Sequence, residues 1–306
     1  MGAFPDRIVA QDFVTPPEFR DLTLSADGTG RIGGARFALA RRAGKTRLAD
    51  TYEQIPIRVL PLDLGPDEPA LVYLLNPTAG LLDGDGHRID IHVEAGVRAV
   101  VTGQSATRIH PCTKHFATQQ WNVSVADGAI LVVLPGPAIP FEESRYFQRV
   151  RINLAKQAQL IWADLWFAGR YAREQDSERF RFRSIVQNMQ IVRGGDLVFR
   201  DRFHWRGPWH ESSASWNFDD QPAAGTIFAT GAAEFPTATG RFAVLPTAAG
   251  DVCLRCTGPS EHVTNLIVTT ALHLAAKRDH GNRDAPWLLS QLARTHWFDP
   301  SCSIQA

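Results

Sequence analysis

The sequence predicts a mainly β chain that closes with two C-terminal α-helices, and three observations carry that prediction. Apolar and polar residues alternate from about residue 55 to 205, as in Arg88-Ile89-Asp90-Ile91-His92-Val93-Glu94 and Gln148-Arg149-Val150-Arg151-Ile152-Asn153-Leu154. Successive side chains of a strand face opposite ways, so this pattern marks half-buried strands. Short turns recur between them, at Val93-Glu94-Ala95-Gly96-Val97, Val125-Ala126-Asp127-Gly128-Ala129 and Leu154-Ala155-Lys156-Gln157-Ala158. Beyond Gly258 the apolar spacing changes from that of a strand to that of a helix.

Taken in order, residues 1–30 are polar and irregular, with Pro16-Pro17 and Gly28-Thr29-Gly30, and read as a loosely tethered arm. Residues 31–257 form the β-rich body. Its turns at Gly96, Gly128 and Gln157 lie 32 and 29 residues apart, and Val192-Arg193-Gly194-Gly195-Asp196 offers a fourth. A near-constant period of this size marks units that bury their apolar faces only against neighbours. A meander of hairpins shows similar turns at looser spacing, and the pattern alone leaves both open. Residues 258–306 form a helical pair. Gly258-Pro259-Ser260 gives a turn and an N-cap, after which Val263, Leu266, Ile267, Thr270, Ala271 and Leu274 recur up to Lys277 and Arg278. A second helix starts near Pro286, capped by Asp284 and weighted by Trp287, Leu288, Leu289, Leu292 and Trp297.

At 306 residues the chain can bury a substantial core without staples. Lys plus Arg (32) balances Asp plus Glu (32), so no long-range field draws nucleic acid or an anionic membrane. Neither is an expected partner. Four cysteines do not make a disulfide framework, which suits the cytoplasm. No secretory leader is legible and no apolar run approaches the roughly 20 residues of a membrane helix, so the chain is expected to be soluble.

The motifs for familiar chemistry fail on spacing. Ala43-Gly44-Lys45-Thr46 ends like a phosphate loop, but Leu39 stands where the first glycine belongs. Asp83-Gly84-Asp85-Gly86-His87 resembles a calcium loop whose first and last ligand positions hold Leu81 and His92. Cys253-Leu254-Arg255-Cys256 lies in a strand, where positions three apart face opposite ways. Glu142-Glu143 and Asp219-Asp220 supply acids without a geometry. His110, Cys112 and His115 put imidazole, thiol and imidazole on one loop, a mixture that suits nickel, zinc or copper in a weak transit site. Trp205-Arg206-Gly207-Pro208-Trp209-His210 carries the aromatics and arginine of an interface, or of a β core.

The most shape-specified stretch is Asn76-Pro77-Thr78-Ala79-Gly80-Leu81-Leu82-Asp83-Gly84-Asp85, in which Pro77 fixes φ and Gly80 and Gly84 permit positive φ or close backbone approach. It stands in order with Gln54-Ile55-Pro56-Ile57-Arg58-Val59, Thr102-Gly103-Gln104-Ser105-Ala106-Thr107, Leu134-Pro135 with Ile139-Pro140-Phe141, and Gly169-Arg170 with Glu178-Arg179-Phe180. These five segments resemble the urease accessory protein D family (UreD/UreH). Ala79 and Asp83 replace glycines of the family pattern, so Gly80, Gly84 and Gly86 are left to carry the backbone requirement.

The resemblance implies a β-helix-like stack of strands with two C-terminal helices. It implies a non-enzymatic scaffold that holds the F accessory protein, through it the G-protein GTPase, and docks on apo-urease while nickel is delivered. No tightly bound cofactor is implied; nickel passes in transit. The residues it points to are Asn76, Pro77, Gly80, Gly84, Asp85, Thr102, Gln104, Thr107, Pro140 and Glu178, with His110, Cys112 and His115 as transit ligands. Two other readings stay open: a β-solenoid enzyme acting on glycans or through a metal, and a standalone transition-metal-binding protein.

Overall fold

The computed structural model describes residues 7–24, 30–62, 69–171, 178–231 and 241–278. After the N-terminal arm come β1 (Ile32–Arg42), β2 (Lys45–Gln54), β3 (Arg58–Leu62), β4 (Ala70–Leu75), β5 (Gly86–Val93), β6 (Arg98–Gly103) and short β7 (Thr107–Ile109). Then follow β8 (Ala117–Val125), β9 (Ile130–Leu134), short β10 (Pro137–Pro140), β11 (Arg145–Leu154) and β12 (Gln159–Phe167). The chain continues with β13 (Ser184–Arg193), β14 (Asp196–Arg206), α1 (Glu211–Phe218), β15 (Ala223–Ala229), β16 (Arg241–Pro246), β17 (Val252–Gly258) and α2 (Ser260–Arg278).

The strands fall into two sheets. One has the order β14-β13-β11-β8-β5-β1-β2; the other runs β16-β17-β15-β12-β9-β6-β4-β3, with β10 beside β12 and β7 beside β10. From β4 to β13 the chain alternates between them, and like strands stack in parallel: β5, β8, β11 and β13 in the first sheet, β4, β6, β9 and β12 in the second. Each rung is a first-sheet strand, a tight corner, a second-sheet strand and a longer loop back. Gly96 (φ +68°) and Gly128 (φ +69°) make two of the corners. The ladders run on through those corners, where Ile130 N donates to Val97 O at 2.8 Å and Gln159 N to Ala129 O at 2.8 Å. Of the two architectures that turn spacing left open, the chain adopts the stack.

The fourth turn differs. Val192 to Asp196 is a hairpin that joins β13 to β14 in the same sheet, in antiparallel register. Alternation between sheets therefore ends at β13, and the lower end of the stack is built from antiparallel strands instead.

Register places Ile89, Trp121, Val150 and Met189 side by side on the inner face of the first sheet. They bury against Val101, Val133 and Trp162 of the second. Trp121 meets Trp162 edge to face at 5.3 Å, a favoured geometry for two indoles. The second sheet is covered on its other face by α2, whose Val263, Leu266, Ile267, Ala271 and Leu274 pack on Ile161, Ile227 and Leu254. A sheet covered on both sides needs apolar residues at consecutive positions, which is why Ile130-Leu131-Val132-Val133-Leu134 does not alternate. The helix that the sequence predicts after Pro259 is α2, with the same apolar face.

The second helix that the sequence predicts, from Pro286, lies outside the described residues. A helix not predicted from the sequence, α1, sits between β14 and β15, with Ala214 and Phe218 packed on Phe180, Phe182 and Trp205. That cluster absorbs most of the aromatic stretch into a core; Trp216 alone on α1 stays 90% exposed. The arm also departs from expectation. Its described residues hold no strand but are tied down, with Ile8, Phe13 and Phe19 buried against Phe116, Phe147 and Val186 on the outer face of the first sheet. No helix among the described residues is long and apolar enough to cross a membrane.

Candidate functional site

Every loop that returns from the second sheet to the first lies on one edge of the stack, and four of the five ordered segments fall in these loops. They are hydrogen-bonded layer on layer. Leu81 bridges Ile109 in parallel, with Leu81 N donating to Arg108 O at 2.8 Å and His110 N to Leu81 O at 2.9 Å. β7 pairs with β10, and Phe141 N donates to Ile109 O at 2.9 Å.

The Asn76 to Asp85 loop is shaped by its own side chains. Asn76 Oδ1 accepts from Thr78 N (3.2 Å) and Thr78 Oγ1 (2.7 Å), an Asx-turn behind exposed Pro77. Gly80 has φ +127°, and a Cβ there would stand 2.2 Å from Arg108 O; Gly84 has φ +85°. Gly86 does not need positive φ. It opens β5, where a Cβ would press on Ile32 Cδ1 at 3.0 Å and Phe13 Cζ at 3.1 Å, so its requirement is space under the arm. Asp85 is buried and accepts from Arg31 N (2.6 Å) and Leu82 N (2.8 Å), yet burial still raises its pKa.

Asp83 fastens the neighbouring loop. Burial pushes its pKa up, but donation from Lys114 N (2.9 Å), His115 N (2.9 Å), Thr113 N (2.9 Å) and Thr113 Oγ1 (3.2 Å) outweighs this and holds it below the usual carboxylate range. Asp83→Ala is expected to cost about 2 kcal/mol, read as a shift in denaturant midpoint. A depressed carboxyl stabilises above its unfolded pKa and loses that contribution as pH falls through the folded one. Wild type and variant should therefore converge in acid.

The proposed transit ligands do not converge. His110 Nε2 lies 3.0 Å from Ala79 O and its ring stands edge-on to Phe141. Cys112 is buried, points its Sγ at His110 O and Arg145 O (3.4 Å each), and burial pushes its thiol up to about 11. His115 Nδ1 faces Thr23 Oγ1 at 3.4 Å. The loop backbone turns the three side chains onto separate partners, and no cluster of three His, Cys, Asp or Glu suited to a metal forms among the described residues. The Cys253 and Cys256 side chains sit in β17 and are both buried. Glu142 and Glu143 turn outward to Arg181 and Arg183, so the adjacent acids form no facing pair.

The remaining residues brace the loops. Thr102 is buried, its Oγ1 donating to Leu134 O at 3.0 Å. Pro140 ends β10, and Thr107 starts β7 beside Ala138. Glu178 is buried, receives Arg170 Nε at 2.8 Å and Glu142 N at 3.2 Å, while Arg170 also lies 4.2 Å over the Phe141 ring. Gly169 (φ +103°) lets this clamp close, since a Cβ there would stand 2.5 Å from Glu178 O.

Beneath the loops, the inner faces of the two sheets carry a polar layer that sequence reasoning missed. His87, Gln119, Gln148 and Gln187 occupy one register row across β5, β8, β11 and β13. Gln148 Nε2 donates to Asp164 Oδ1 at 2.9 Å, Trp162 Nε1 to Asp164 Oδ2 at 3.0 Å, and Trp121 Nε1 to Gln119 Oε1 at 3.2 Å. Burial lifts the Asp164 carboxyl to about 6 against the pull of those two donors, and Asp201 adds to the rise. His87 is wholly buried, which drives its pKa down to about 4 and keeps the ring neutral.

The row from Gln119 to Gln187 has a cavity at each end, with Gln119 lining one and Gln187 the other. One of about 60 Å³, room for a few waters, lies under the loop edge and is lined by Asn76, Thr78, Gln104, Thr107 and Gln119. The other, about 520 Å³, opens at the lower end of the stack and is lined by Gln187, Asp201, Thr226, Arg255 and Trp166. Arg255 Nη2 meets Asp201 Oδ1 at 2.8 Å across it. The signal for this layer was present: the same inward parity that reads apolar at residues 121, 150 and 189 reads Gln two positions earlier.

The site is thus a strand stack with a hydrogen-bonded loop edge and a polar interior, and it carries no cluster of metal-binding side chains among the described residues. The comparisons specify it further. Residues 31–286 match the family described as UreD urease accessory protein, and the chain belongs to that family. It is 30% identical over 241 residues to the urease accessory protein UreD of Deinococcus radiodurans, covering 75% of this chain and 86% of that one. It is 32% identical over 174 residues to urease accessory protein UreD 2 of Streptomyces griseus (56% and 58%) and 27% identical over 200 residues to the urease accessory protein UreD of Lachnoclostridium phytofermentans (65% and 72%). The chain thus spans little more than half the length of the Streptomyces relative.

Proposed function

We propose that this chain is a non-catalytic, cytoplasmic scaffold for urease maturation, which docks on apo-urease, holds the F accessory protein and through it the G-protein GTPase, and lets nickel pass through its interior. The observation that carries the reading is the register row Gln119, Gln148 and Gln187, with Asp164 bonded to Gln148, whose two ends each line a cavity. One carboxylate among amide oxygens and indole N–H groups binds a divalent ion weakly, and weak sites in series release what they take up. Nickel is cargo here, and the loop edge or the lower mouth is where a donor and an acceptor would sit.

The test is capture of the full chain by apo-urease and by the F accessory protein in separate affinity experiments. Stable co-elution with both is expected. Clean monomers that ignore both partners would overturn the scaffold reading.

A further inference from the structure

The outer face of the first sheet holds a cluster of arginines that the interior passage does not use. Alternation places Arg88 on β5, Arg149 and Arg151 on β11, and Arg200 and Arg202 on β14 on this face, with Asp90 the only carboxylate among the strands β5, β8, β11, β13 and β14 that build it. Register sets Arg149 beside Asn188 and Asn188 beside Arg202, then Arg151 beside Gln190 and Gln190 beside Arg200. Adjacent strands are about 4.8 Å apart, so the guanidinium groups share one patch.

The arm shows how this face is used. It lies over the half nearest the loop edge, and its carboxylates go to arginines: Asp12 to Arg36 at 3.2 Å, with the Asp12 carbonyl taking Arg88 Nη1 at 2.8 Å, and Glu18 to Arg202. Arg149 stands at the arm's border, in the row where Gln120 pairs with Val14 and Arg202 with Glu18, while Arg151 and Arg200 lie exposed in the next row out; none of the three forms an ion pair among the described residues. Arg149 is half-buried, donates to Asn122 Oδ1 at 3.1 Å, and has its pKa lowered by burial and then by Arg151 and Arg88, with nearby Asp90 pulling the other way. Asn188 Oδ1, in the row between Arg149 and Arg202, is buried without a hydrogen-bond partner.

We infer that the part of this sheet face left exposed among the described residues is a docking surface for an acidic, extended segment of a partner protein, laid beside the arm and engaging Arg151 and Arg200, with Arg149 at its border, through carboxylates. Charge complementarity identifies the partner's chemistry: unpaired guanidiniums in a patch take carboxylates in bidentate fashion, and the same face already accepts two acidic residues from an irregular segment of its own chain. A polypeptide is favoured over nucleic acid because the chain's formal net charge is zero, leaving no field to gather a long polyanion. This inference stands apart from the maturation reading.

The test uses the full chain and a fluorescein-labelled oligoglutamate, with binding followed by anisotropy at low and at physiological salt. The variant carries Arg149→Gln, Arg151→Gln and Arg200→Gln; a control carries Arg41→Gln, Arg47→Gln and Lys156→Gln, which removes the same charge elsewhere. The first variant should bind at least about tenfold more weakly than wild type with an unchanged melting temperature, and the control should bind like wild type. Equal loss in both variants, no binding by wild type at low salt, or tighter binding of single-stranded DNA of matched charge would each overturn the inference.

Discussion

Asp164→Asn is expected to lower nickel-dependent activation of urease by about 10- to 100-fold, the range for removing a group that tunes a metal site, while capture of the chain by apo-urease is unchanged. The substitution keeps the shape between Gln148 and Trp162 and takes away the only carboxylate in the layer formed by Gln119, Gln148, Asp164 and Gln187. Scaffolding and conduction separate here: loss of capture would mean that Asp164 holds the fold, and full activation would mean that nickel goes elsewhere. The pH dependence is a second readout. With its carboxyl raised to about 6 by burial, Asp164 is ionised above that value and neutral below it, so activation by wild type should fall as pH drops through 6, and the variant should be flat. Stability moves the other way. The folded state holds this proton more tightly than the unfolded chain, so the contribution is favourable in acid and declines as pH rises from about 4 to about 6, with no further change above.

The sequence made the strands of the stack legible because their chemistry is local: Gly96 and Gly128 turn the corners, and apolar parity tells which side of Ile89 or Val150 faces in. The C-terminal helix α2 was legible for the same reason, from Ser260 and an apolar stripe. What stayed hidden is what depends on partners distant in the chain. The polar row is four separate side chains, 29 to 39 residues apart between neighbours from His87 to Gln187, that only the parallel register brings together. Its glutamines look like solvent-facing positions until the sheet's inner face is known. The arm read as loose because Phe13 and Phe19 are isolated in a polar stretch, and only Phe147 and Val186 on remote strands show what they bury against. His110, Cys112 and His115 misled in the opposite direction: proximity in sequence suggested a shared ligand, and loop backbone directed each side chain to its own carbonyl or hydroxyl.

Gly80→Ala is expected to destabilise the chain by roughly 4 kcal/mol, the sum of positive-φ strain and the loss of hydrogen bonds at the bridge. The backbone at Gly80 has φ +127°, and an added Cβ would lie 2.2 Å from the carbonyl oxygen of Arg108, a contact that cannot be relieved by turning a side chain. The loop of residues 76–85 must lift away from β7, which breaks Leu81 N to Arg108 O and His110 N to Leu81 O and uncouples the first layer of the edge from the second. Because Asn76, Thr78 and Gly80 also line the smaller cavity, the same shift opens that cavity to solvent. Gly44→Ala separates the two causes: Gly44 has φ +80° in the β1–β2 hairpin, with nothing within 4 Å of an added Cβ, so it reports strain without collision and should cost about 1 kcal/mol. Chemical denaturation of both variants decides the matter. A midpoint shift for Gly80→Ala no larger than that for Gly44→Ala would mean that the loop edge is not held by the close approach of its layers, and that Gly80 serves only as a flexible joint.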